Sequence, residues 1–276
     1  MSVYIDIRSS LSKGRGMFRE DDSGLSEMIG FMFILAAIVI FASVVYPAMV
    51  RNDIKTAENN AFSNIYAKML QFSDDMQSAT AGQTSFQLTS AQEHSSASTS
   101  SLVFQPDTGT FVITTTNHST YAPPYAGEPQ SGLITITPNN FFAKNIITAF
   151  QLGAVVEEQD NKYWSSTSSF LSIIGRNVTA QFPVLTGGFL SSSGGTVTLK
   201  YNVVNMFDIN DTNTNAVIVI NTPYPDVFEN AFQNDMNRAG FTRNTDYILT
   251  EGANAVTLHL KNLNSINIKV IIWSVS

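Results

Sequence analysis

The chain has 276 residues, 43% apolar and 13% charged, with a net charge of −7 and no cysteine. The apolar content is too high for wholesale disorder, and the length suffices for a core without covalent staples. Disulfides, thiol nucleophiles and cysteine-based metal sites are excluded, and the acidic balance argues against a nucleic-acid partner.

A charged stretch containing Arg8, Lys13, Arg15 and Arg19 precedes an uncharged run, Met28 to Val50. As a helix those residues span ~34 Å, more than a ~30 Å hydrocarbon core. Twelve are Ile, Leu, Phe or Val, which contribute about −5 kcal/mol to insertion and outweigh Ser43 and Pro47. The run predicts a single membrane-spanning helix with lipid as its partner. It exceeds an ordinary signal-peptide core, and no small-x-small site closes it, so it is expected to stay in the protein. The cation excess before it predicts a cytoplasmic N-terminus and an extracellular C-terminal part. Three sequons, Asn117-His-Ser, Asn177-Val-Thr and Asn210-Asp-Thr, fall on that side and make Asn117, Asn177 and Asn210 glycosylation candidates.

The pattern continues helically past the span. Ile54, Ala57, Ala61, Ile65, Met69, Phe72 and Met76 recur at spacings of three and four, while Asn52, Glu58, Asn59, Lys68 and Asp75 are assigned to the polar remainder. Pro47 predicts a kink near the membrane exit. Gly82 and the polar stretch Thr89–Ser101 end the helix and read as a loop.

From about residue 83 the period is two. Strands are expected at Ser85–Leu88, Leu102–Gln105, Phe111–Thr115, Leu133–Thr137, Gly153–Glu157, Thr196–Val204, Ala216–Ile220, Ala255–Lys261 and Ile266–Val275. Tight turns are expected at Asp107-Thr108-Gly109, within Asp208–Asn213 and at Asn262–Ser265. Helices are expected at Pro225–Ala239, stopped by Gly240, and at Phe141–Phe150. The fold class is therefore α+β: a leader (1–24), an N-terminal helix (25–80, transmembrane over 28–50 and amphipathic over 51–80), and a β-rich, mainly antiparallel head with one or two helices (81–276).

Gly24-Leu25-Ser26-Glu27-Met28-Ile29-Gly30-Phe31 resembles the N-terminus of archaeal type IV pilin-like and archaellin-like surface proteins. There a short charged leader ends at Gly, and a V-S-E-V-I-G-like motif opens the apolar helix. The run AENNAFSNIYAKMLQFSDDM and the later aromatic helix around Tyr224–Phe232 are similar to a group of such proteins. The resemblance implies a class III signal peptide cut between Gly24 and Leu25 by a prepilin-type peptidase. It further implies pilus assembly machinery as a partner, self-association through the helix, and a filament subunit or minor pseudopilin as the product. Glu20-Asp21-Asp22 stand where the family has basic residues. A cut after Gly16, in Lys13-Gly-Arg-Gly, is the second candidate. The resemblance gives Glu27 the role of pairing with the exposed amine during assembly; the other reading is a marker of the lipid–water boundary. Gly30 and Ala36-Ala37 offer small surfaces to a neighbouring helix or to lipid.

No enzyme or cofactor is expected. His94, His118 and His259 lack metal spacing, and no nucleophile, zinc or phosphate-loop motif occurs. Glu157-Glu158 with Asp160 reads as a solvated turn. Asp208–Asn213 fails the EF-hand pattern at Asn213 and Val219 and leaves calcium open. Tyr163-Trp164 is a half-core pair or a glycan-contacting edge. The alternative to a pilin-like subunit is a permanently anchored adhesin or binding module, with an anchored enzyme third.

Overall fold

The computed structural model describes residues 17–90, 98–117, 130–167 and 169–276. The leader up to Gly16, the second cut site, His94 and His118 lie outside them. The chain forms two compact units that divide between Ile54 and Lys55.

The first unit is helical. Helix α1 (Met17–Ile40) starts ahead of the apolar run, so Gly24 lies inside a helix rather than at its mouth. A π-helical turn, Phe41–Val45, follows, with the Tyr46 N–H donating to the Phe41 carbonyl. Pro47 explains it: the ring has no N–H and would crowd the Ser43 carbonyl one α-turn back. Helix α2 (Tyr46–Gln77) then carries on. From Leu25 to Gln77 the helical stretch is long and apolar enough to cross a membrane.

In the second unit, α2 from Lys55 onward packs on a twelve-stranded sheet. The strands are β1 (Gly82–Gln87), β2 (Thr99–Thr115), β3 (Gln130–Asn139), β4 (Ile147–Gln151), β5 (Ala154–Gln159), β6 (Lys162–Ser165), β7 (Leu171–Ile174), β8 (Asn177–Gly187), β9 (Leu190–Ser193), β10 (Thr196–Asn221), β11 (Tyr247–Gly252) and β12 (Ala255–Val275), with helix α3 (Pro225–Arg238) before β11. The main path runs β6-β5-β4-β3-β2-β10-β12-β8-β7, with β1 on β10, β11 on β12 and β9 on β2. All pairs are antiparallel except β8 with β12. The α+β class holds, although α3 is the head's own single helix among the described residues.

Two cores form because the sheet is covered on both faces. Ile65, Met69, Phe72 and Met76 of α2 pack with Phe86, Phe104, Ile134, Phe150, Leu185, Tyr201 and Trp273. The other core gathers Phe228, Phe232 and Met236 of α3 with Phe111, Ile218, Val256, Leu258 and Val270. Neighbouring residues therefore serve opposite cores: Leu133 and Ile134, Ala149 and Phe150, Val184 and Leu185, Val270 and Ile271. A strand buried on both faces reads as a continuous apolar run, and this hides its period.

Several expected elements are corrected. Leu102–Gln105 and Phe111–Thr115 are one strand, β2, and Asp107-Thr108-Gly109 lies in a register shift opposite β3, not in a hairpin. Thr196–Val204 and Ala216–Ile220 are halves of the 26-residue β10, and Ala255–Lys261 and Ile266–Val275 are halves of the 21-residue β12. Asn213 and Asn262, both at positive φ, sit at the irregularity between the long strands. Asparagine tolerates that backbone, so it serves a bulge here instead of a reversal. Phe141–Phe150 is not a helix: residues 141–146 are irregular and the rest enters β4. Glu58 is buried, not on the polar side of α2. Pro225–Arg238 is helical as expected, and Gly240 at φ 72° provides the left-handed stop.

Candidate functional site: the N-terminal helix

Every side chain from Leu25 to Met49 is exposed, and neither core contains a residue before Ile65. A helix that is apolar all round and covered by none of the described residues requires an apolar medium or other helices. Leu25 is 62% exposed and Glu27 is also exposed, one α-helical turn ahead of Phe31. A Cβ added at Gly30 would meet nothing within 4 Å. Leu25 and Glu27 thus stand on one open helical segment, directly after Gly24 in α1. Ser43 donates its hydroxyl back to the Val39 carbonyl, which removes a polar group from the apolar surface.

The sequons fall in three different environments. Asn177 is exposed at the start of β8, with its Oδ1 accepting from Ser265 at 2.8 Å. Asn210 is exposed within β10, opposite Asn267 of β12. Asn117 donates Nδ2 to Asp211 at 2.6 Å. That bond heads the contacts that hold the Asp211 carboxyl well below the usual carboxylate range. Asp208 and Asp211 are three residues apart on a strand, so they face opposite sides and the acidic stretch is not gathered into one cluster.

Glu157 and Glu158 lie on β5, and Asp160-Asn161, both at positive φ, turn the chain into β6. Glu157 accepts a hydrogen bond from Trp164 Nε1, while Tyr163 packs edge-on against Tyr224 at 5.4 Å. His259 sits on β12 opposite Val217. Among the described residues no three His, Cys, Asp or Glu side chains are grouped so as to hold a metal.

No family model matches the chain, and no curated protein or solved structure does so either.

Sequence reasoning missed the buried carboxylates. Glu58 accepts from the backbone N–H groups of Phe141, Phe142 and Ala143 at 2.6, 3.1 and 2.7 Å. Asp235 of α3 accepts from Phe170 and Leu171, both at 2.9 Å. The signal for Glu58 was its spacing: seven residues before Ile65, it shares that residue's face of α2.

Proposed function

We propose that the chain is a non-enzymatic, pilin-like cell-surface protein held in the membrane by its N-terminal helix, with the leader cytoplasmic and the head extracellular. One observation carries the reading. The apolar helix from Leu25 to Met49 is exposed along its whole length, ahead of a head whose two cores are complete without it. Lipid satisfies such a surface, and a helix satisfies its own backbone there. The Gly24-Leu25-Ser26-Glu27 motif adds the pilin-like part: removal of the leader would let the helix leave the bilayer and join a filament through its open sides.

Glu20, Asp21 and Asp22, placed before the cut, favour a second reading in which the leader stays and the protein is a permanently anchored adhesin or binding module. N-terminal sequencing of membrane-extracted protein separates the two. A terminus at Leu25 supports the pilin-like protein, and Met1 supports the anchor. Protease added to intact cells should digest the head and spare the leader. A protected head would overturn both.

A further inference from the structure

β6 ends the main path of the sheet, paired with β5, and it also lies against α3. Strand and helix enclose a cleft of about 130 Å³, lined by Tyr163 and Trp164 on one side and by Val227, Asn230, Ala231 and Asn234 on the other. The sequence of α3 separates two duties. Phe228, Phe232 and Met236 enter the core, whereas positions 227, 230, 231 and 234, at spacings of three and four, share the face that lines the cleft. Ala231, in the middle of that face, is small and leaves the cleft its depth. Asp235 fixes the helix there by accepting the Phe170 and Leu171 N–H groups. Trp164 is 40% exposed and held in one orientation, because its Nε1 donates to Glu157, its register partner on β5. The polar end of the indole is thus occupied, and its ring remains as a contact surface. Ser165 and Thr167 complete the wall and donate their hydroxyls to the Val155 and Gly153 carbonyls, at 2.8 and 3.2 Å. Asn230 and Asn234 differ from them. Both are exposed, one helical turn apart, and neither side-chain amide has a hydrogen-bond partner among the described residues.

These features select a class of ligand. Among the described residues no side chain that lines the cleft is charged, so a phosphate, a carboxylate or an amine finds no counter-ion there. The volume approaches the ~150 Å³ that accommodates one six-membered ring. Aromatic rings provide an apolar face, and each free amide provides two donors and an acceptor for groups that also do both. A neutral pyranose has both halves of this pattern, a ring face rich in C–H and an edge of hydroxyls. We infer that the cleft between β6 and α3 binds a neutral hexose unit, stacked on Trp164 and hydrogen-bonded by Asn230 and Asn234. The inference is independent of whether the leader is cut.

The test is saturation-transfer NMR on the full chain in deuterated dodecylphosphocholine, a detergent without sugar. The probes are the methyl pyranosides of glucose, galactose and mannose. At least one should receive transfer from the protein, with a Kd in the millimolar range expected of a single ring. Asn230→Ala and Asn234→Ala should each weaken binding about fivefold. Trp164→Ala should remove transfer to the ring protons, and Ala231→Leu, which fills the cleft, should abolish binding. Methyl glucuronide, the same ring with a carboxylate, should bind more weakly than the glucoside. Near-UV circular dichroism from the buried Trp273 checks the fold of each variant. Where Ala231→Leu loses that signal, the two exposed asparagine positions carry the test. If no probe binds wild type, the hexose site is wrong, and the cleft is left to a peptide. If a probe binds wild type and both asparagine variants equally, it binds elsewhere, and the inference fails.

Discussion

A carboxylate shut away from water persists only where donors converge on it, and Glu58 shows how many that takes. Its two oxygens collect three backbone N–H groups from one turn, and each of them would be stranded if the side chain were removed. Charge-assisted hydrogen bonds are worth about 1.5–3 kcal/mol each, but a loosened turn can recover water. Glu58→Ala is therefore expected to cost ~2–4 kcal/mol in urea unfolding of the full chain in detergent, with Glu58→Gln losing less. Glu251 is the opposite case. Hydrogen bonding to Asp226, then to Glu229, with nearby negative charge, raises its pKa from 4.5 to about 7. The folded protein holds that proton more tightly than the unfolded chain, so stability should fall as pH rises from about 4.5 to about 7. Glu251→Gln should flatten the fall and raise Tm at pH 8 while leaving Tm at pH 4 unchanged. The gain will be small, because the side chain is exposed and its interactions are screened. Asp211 has the reverse sign: its contribution is present at neutral pH and is lost as pH drops below the ordinary range of an aspartate.

Among the elements, what the sequence revealed depended on whether an element has one buried face or two. The apolar helix is marked by length and lack of charge, α3 by its period and a clear stop at Gly240, and both are where the sequence places them. Val256, Leu258 and Leu260 of β12 alternate cleanly, and they too were legible. β4 and the stretches 182–185 of β8 and 270–273 of β12 are buried on both faces, so alternation is lost there and β4 resembles a short helix. Turn chemistry misled more. Asp107-Thr108-Gly109 and Asn213 carry residues that suit reversals, yet the strands continue through them, because β10 and β12 must run from one core to the other as single ladders. Gly109 tests this directly. A Cβ there would lie 2.3 Å from the Asn221 carbonyl oxygen and 2.6 Å from Gln151 Nε2, so glycine is needed for the close passage of β2 past β10 rather than for a turn. Gly109→Ala should cost ~1–3 kcal/mol in denaturant unfolding. Asp107→Ala, which would break a genuine Asp-x-Gly reversal, should change stability by less than ~0.5 kcal/mol.

For the molecule as a whole, the question is whether the exposed helix remains in lipid or passes into an assembly, and Gly24 and Glu27 decide it together. Gly24 lies within α1, where glycine weakens the helix by ~1 kcal/mol relative to alanine and leaves its backbone bare to a protease cleft. Gly24→Val replaces it with a β-branched side chain, so full-length protein should accumulate in the membrane and none should be recovered by shearing cells. Glu27→Ala keeps the cut site and should yield mature-sized protein. If Glu27 pairs with the amine that cleavage exposes at Leu25, the loss of a charge-assisted contact worth ~1.5–3 kcal/mol per subunit should deplete sheared filaments about tenfold or more. If Glu27 only marks the lipid boundary, its removal makes the helix end more apolar, and sheared material should be unchanged. The readouts are gel size against the sheared fraction. Normal size and normal shearing in both variants would remove the assembly role from these residues and leave the anchored reading ahead.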